Sequence, residues 1–72
     1  MIGTLAFNEA CARVLAHCKD EYAKSYARAG LSMTDREEIR VQALYILSNM
    51  TGWRGEQAVL VRTTLRLFTK RI

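Results

Sequence analysis

Apolar residues recur every three or four positions along most of this chain, which is the spacing of one face of an α-helix. The first such series extends over about residues 5–29 and consists of Phe7, Cys11, Val14, Cys18, Tyr22, Ser25 and Ala29. Gly30 follows the series, and a glycine in the left-handed conformation commonly ends a helix. The pattern therefore predicts one long first helix that ends near residue 29.

A second helix is predicted over about residues 35–51. Thr34 and Glu37 have the spacing of a capping box, in which two side chains bond backbone N–H groups at the start of a helix. An inward apolar stripe follows, made of Ile39, Ala43, Ile46, Leu47 and Met50, with Leu44 at its margin. Gly52 is placed to end this helix through a left-handed residue.

A third helix is predicted over about residues 54–70. Its apolar side consists of Leu60, Val61, Thr64, Leu65, Leu67 and Phe68. No segment alternates between apolar and polar residues as a strand does. Connections of about four residues return each helix beside the one before it. We therefore expect a single all-α domain over residues 1–72, a compact antiparallel three-helix arrangement whose core holds Val14, Ile46, Leu47, Trp53 and Phe68.

The stretch NMTGWRGEQ, residues 49–57, connects the second and third predicted helices. Its G-x-x-G spacing is that of the nucleotide-clamping loop of KH modules, but a KH fold needs strands that the pattern does not predict. Two interpretations stay open. One is the turn of a DNA-binding helix-turn-helix, with Arg54, Glu56 and Gln57 at the start of the recognition helix. The other, which we favour, is a tight corner packed around Trp53.

Charge is unevenly distributed along the 72 residues. Residues 53–72 contain five basic residues and one acidic residue, and this excess equals the whole net charge of +4. Such asymmetry suggests an acidic partner. Arg62, Arg66 and Lys70 repeat every four residues and, with Arg54, form a candidate phosphate-binding stripe. The simpler interpretation, a solvated face, is favoured.

The residues that could carry chemistry are few. Cys11 and Cys18 are seven positions apart, which is about 10 Å along one helix and too far for a disulfide or a shared zinc ion. His17 points to a different side of that helix. Without a phosphate loop, a cofactor motif or a ligand cluster, we expect no enzyme activity, no cofactor and no metal. No apolar run is long enough for a membrane span, and no secretory signal is evident, so a cytoplasmic location is expected.

Some apolar residues are left over after the core is assigned. Val41 and Tyr45 lie away from the inward stripe of the second helix, and Val59 lies among the basic residues of the third. A helix that is apolar on two sides is usually covered by another element or chain. Val41, Tyr45 and Val59 are therefore the candidate partner surface. Self-association, as a homodimer, is expected through the second helix or through a ridge of alanines on the first, Ala12, Ala16, Ala23 and Ala27.

The run MTDREEIRVQALYILSNMTGWRGEQA resembles short helical proteins encoded by phages and prophages, chiefly over residues 38–56. The resemblance implies a small accessory protein that binds a host factor. The leading hypothesis is a non-enzymatic interaction protein that binds a protein partner and self-associates. The alternative is a small nucleic-acid-binding regulator that uses the second and third helices and the basic stripe.

Overall fold

Residues 5–70, which are the part of the chain described by the computed structural model, form four α-helices. These are α1 (Phe7–His17), α2 (Glu21–Gly30), α3 (Arg36–Asn49) and α4 (Glu56–Phe68). No β-strand occurs between residues 5 and 70, and the prediction of an all-α fold is confirmed. The predicted second and third helices correspond to α3 and α4 within two residues at each end. The predicted first helix, however, is two helices.

The break between α1 and α2 lies at residues 18–20. Cys18 has an extended backbone, with φ −82° and ψ 140°. The Asp20 carboxylate then accepts a hydrogen bond of 2.9 Å from the N–H of Ala23 and so caps α2. An unbroken helix of about 25 residues would be about 37 Å long, whereas the molecule extends 29 Å along its longest principal axis. The break allows α2 to fold back on α1.

The break also changes which face of the second segment is buried. In α2 the buried residues are Ala23, Ala27 and Gly30, whereas the predicted inward residues Tyr22 and Ser25 are exposed. The buried positions of α2 are thus shifted by about one residue from those that an unbroken continuation of the α1 stripe would give. Small side chains on the buried face let α2 approach its neighbours closely.

The four helices form a closed ring in which each helix packs on the next and α4 packs on α1. The N–H of Leu5 donates to Thr64 Oγ1 at 3.0 Å, and Arg13 Nη1 donates to Gln57 Oε1 at 2.6 Å. The chain just before α1 therefore meets the second half of α4, and the second half of α1 meets the start of α4, so these two helices run in opposite directions. Short connections give the same antiparallel relation to each consecutive pair.

All four helices contribute to one core. Its fully buried large side chains include Val14, Ile46, Val61 and Leu65. Leu47, Trp53 and Phe68 are half-buried and pack against this core. The predicted core is thus correct for two members, while the other three lie at its edge.

The glycines do not have the roles that the sequence suggested. Gly30 is the last residue of α2 and is buried against α1, where an added Cβ would lie 2.9 Å from Cys11 Sγ. Gly52 does not have a positive φ. Within residues 5–70 that conformation belongs to Gly55, with φ 108°, which is the N-cap of α4. The corner between α3 and α4 therefore turns at its second glycine.

The cap of α3 is also shifted by one residue from the prediction. Asp35, not Thr34, is the N-cap, and its carboxylate accepts from the N–H of Glu38 at 3.0 Å. Glu37, the expected partner of Thr34, forms an ion pair with Arg40. Both residues offer a capping oxygen, and the one nearer the first helical turn is used.

Candidate interaction surface

An exposed apolar surface spans α2 and α3. The rings of Tyr26 and Tyr45 stack with centroids 5.1 Å apart and an interplanar angle of 21°. Beside them the buried Gln42 donates from Nε2 to the backbone carbonyl of Tyr26 at 2.7 Å. This bond ties α3 to α2 and fixes the position from which the two rings project.

Three further residues extend this surface. Tyr22 lies one turn before Tyr26 on α2 and is 71% exposed, and Leu44 and Tyr45 are 43% and 49% exposed. Val41, one turn before Tyr45, is half-buried. We call this surface the tyrosine face: Tyr22, Tyr26, Val41, Leu44 and Tyr45. None of its members carries a charge at neutral pH.

The sequence pattern predicts part of this face. It indicates Val41 and Tyr45, which lie one turn apart on the outer side of α3. The same pattern predicts Tyr22 in the inward stripe of an unbroken helix and Leu44 at the margin of the core, whereas both are exposed. Tyr22 and Tyr26 are four residues apart in the sequence, but the break at residues 18–20 decides that Tyr22 is exposed while Tyr26 is half-buried at the edge of the core.

Val59 does not belong to the tyrosine face. It is 47% exposed on α4 and lines a cleft of about 440 Å³ together with Trp53, Arg54 and Arg62. The candidate partner residues thus occupy two places, with Val41 and Tyr45 together on α3 and Val59 apart from them.

The basic stripe is interrupted by a structural arginine. Arg62 is half-buried, and its Nη2 donates to the carbonyl of Trp53 at 2.9 Å and to that of Met50 at 3.4 Å. These bonds hold the connection between α3 and α4 against α4, where the Met50 carbonyl also accepts from the N–H of Trp53 at 3.0 Å. Arg54, Arg66 and Lys70 are exposed, with Arg54 before the start of α4 and Lys70 beyond its other end.

The same region bears on the helix-turn-helix interpretation. The connection between α3 and α4 comprises residues 50–55, which is longer than the three or four residues typical of that motif. Gln57, expected near the start of a recognition helix, is half-buried and bonded to Arg13 of α1. The geometry favours a packed corner around Trp53.

The two cysteines are free and buried. Burial raises the pKa of the Cys11 thiol to about 11, since a thiolate there would lose its hydration. In the described part of the chain, no group of three or more His, Cys, Asp or Glu side chains could hold a metal ion. The expectation that the protein has no catalytic or cofactor site stays a prediction.

The chain matches no family model, no curated protein and no solved structure. Its resemblance to phage-encoded proteins therefore stays a prediction as well. Between residues 5 and 70, each helix is too short or too polar to cross a bilayer.

Proposed function

We propose that this chain is a small non-enzymatic interaction protein that self-associates through the tyrosine face and acts by binding a protein partner. The observation that carries the proposal is the exposure of Tyr22, Leu44 and Tyr45 on two adjacent helices. Aromatic side chains are enriched at protein interfaces, where they bury a large area at a low entropic cost. A small domain also gains proportionally more than a large one from covering such a surface.

A second copy of the chain is the occupant that suits the tyrosine face. A two-fold contact places the same patch on both sides, so a charged patch would meet its own charge. The tyrosine face is uncharged in a protein of net charge +4. Pairing through Val41, Leu44 and Tyr45 therefore brings no like charges from the face itself into contact.

Sedimentation equilibrium over about a hundredfold range of protein concentration tests the proposal. The unchanged chain is expected to approach twice the mass of one chain. Leu44→Glu and Val41→Glu should each give a folded monomer, because burying an unpaired carboxylate in the dimer interface would cost at least about 2 kcal/mol per copy. Circular dichroism would show that the helices remain.

Leu67→Glu is the matched control, since Leu67 is a similarly exposed helical leucine on α4, at 47%. It should leave the dimer intact. A monomeric mass for the unchanged chain at the highest concentration, or equal loss of the dimer with Leu67→Glu and Leu44→Glu, would contradict self-association through the tyrosine face.

Nucleic-acid binding remains the alternative function, but it rests on three of the four residues of the predicted basic stripe. Arg62 already bonds two backbone carbonyls, so the stripe offers Arg66 and Lys70 near one end of α4 and Arg54 beyond the other. Three separated cations give weak, salt-sensitive binding without base contacts.

A further inference from the structure

A second surface differs from the tyrosine face in both shape and charge. A groove of about 860 Å³ lies between the beginning of α3 and the end of α4. Its apolar lining consists of Ile39, Leu67 and Phe68. Ile39 and Phe68 are half-buried, and Leu67 is 47% exposed. A volume of this size is within the usual range of binding pockets and admits a large apolar side chain.

Cations surround this apolar lining. Arg36, Arg40 and Lys70 line the groove with one carboxylate, that of Glu37, which pairs with Arg40. Arg36 and Lys70 are exposed, and neither side chain has a hydrogen bond or ion pair with another residue in the range 5–70. The groove is therefore apolar at its base and positively charged at its rim.

We infer that this groove binds an acidic amphipathic segment of a partner protein. An aromatic or leucine side chain of the segment packs against Ile39, Leu67 and Phe68, while its Asp or Glu side chains pair with Arg36 and Lys70. This inference rests on the proposed function only in that the protein acts by binding another protein. The surface, and the chemistry of the partner, are separate from self-association.

The charge and the apolar base together select this occupant. A second copy would bring Arg36 and Lys70 against the same cations, which is repulsive. A nucleic acid would pair with the cations but would leave exposed Leu67 without an apolar contact. An acidic amphipathic segment satisfies both features, because carboxylates match the rim and an apolar anchor matches the base.

Selection of a random peptide display library on the immobilised full chain tests the inference. Enriched peptides are expected to combine Asp or Glu with Phe, Trp or Leu. Synthetic copies of them would then be titrated by fluorescence anisotropy. Arg36→Glu, Lys70→Glu and Leu67→Asp should each weaken binding about tenfold or more, because the first two turn attraction for the segment's carboxylates into repulsion and the third places a carboxylate against its apolar anchor.

Two substitutions elsewhere are matched controls. Arg28→Glu reverses an exposed charge on α2, and Leu31→Glu changes an exposed leucine just after α2 that belongs to neither surface. Both should leave peptide affinity within about twofold. Backbone amide shifts on peptide addition should concentrate around Ile39, Leu67 and Phe68 rather than around Trp53.

The inference is overturned if selection enriches nothing above bare resin, or if the enriched peptides lack acidic residues. It is equally overturned if their binding is unchanged by Lys70→Glu or Leu67→Asp, or if duplex DNA displaces them and itself binds independently of Leu67. The mass of the unchanged chain and its peptide selection together separate the two proposals. A monomeric unchanged chain that still binds the peptides contradicts self-association alone, whereas a dimer that enriches no peptide contradicts the groove alone.

Discussion

The absence of a side chain at Gly30 allows α1 and α2 to pack closely. At Gly30 an added Cβ would lie 2.9 Å from Cys11 Sγ and 3.1 Å from the Phe7 ring. Both neighbours are buried, so neither side chain can move aside into solvent. The glycine is needed here for close approach and not for backbone freedom, since its φ is not positive.

Gly30→Ala is therefore expected to destabilise the protein by about 1–3 kcal/mol, the usual range for overpacking a core. Gly52→Ala is the matched control because no atom lies within 4 Å of its added Cβ. It should leave stability unchanged or raise it by up to about 1 kcal/mol. Denaturant melts measure both. Equal effects at the two glycines would show that α1 does not contact Gly30 closely.

Cys11 gives a prediction about alkaline pH. Burial raises its pKa from 9.0 to about 11, so the folded state holds the thiol proton more tightly than the unfolded state. The resulting stabilisation is complete below about pH 9 and is lost as the pH rises toward 11. The full loss is at most about 2.7 kcal/mol.

Urea melts of the unchanged chain and of Cys11→Ala, measured from neutral pH to about pH 11, isolate this contribution. Every other ionisable group is present in both proteins, so its contribution cancels in the difference. The stability advantage of the unchanged chain should shrink above about pH 9. A difference that stays constant with pH would mean that the thiol is hydrated in the folded state.

At the scale of whole elements, the interruption after α1 is the feature that shapes the fold. Asp20 and Lys24 had the spacing of a helical ion pair, but in the structure Asp20 caps α2 and Lys24 pairs with Glu21 at 2.9 Å. An acidic residue at an N-cap followed by a second one is a favourable helix start. The sequence thus contains a helix-start signal at Asp20 and Glu21, although the apolar spacing continues across the same residues without a break.

Asp20→Ala distinguishes a broken helix from a continuous one by the sign of its effect. With the break, the change removes the bond to the N–H of Ala23 and should cost about 1 kcal/mol. Within a continuous helix, the same change should raise stability, because alanine is the best helix former. Asp20→Asn, which retains a capping oxygen, should stay close to the unchanged chain in the same thermal melts.

For the molecule as a whole, the two candidate surfaces have opposite characters. The tyrosine face is uncharged and lies on α2 and α3, while the groove between α3 and α4 has cations at its rim. If the tyrosine face pairs two copies, the melting temperature should rise with protein concentration, since dissociation accompanies unfolding. Leu44→Glu should abolish this dependence on concentration, whereas Leu67→Glu should retain it.

The all-α fold and the positions of α3 and α4 could be predicted because they rest on local physics. Apolar spacing and N-terminal carboxylates act within one or two turns, so a single sequence contains them. The pair Val41 and Tyr45 was predictable for the same reason, as both lie opposite the inward stripe of α3.

The remaining features depend on contacts between residues far apart in the chain. Periodicity continues from Val14 through Cys18, so the local cap at Asp20 prevails only because α2 also packs against α1 and α3. The spacing of Arg62 gives no indication that it bonds the carbonyls of Met50 and Trp53, since those groups come beside it only when the chain turns at Gly55. The sequence by itself determined which segments are helical, because helix signals are local. The tertiary structure decided where the first helix breaks and which apolar and basic residues remain exposed, because burial is settled by the whole fold.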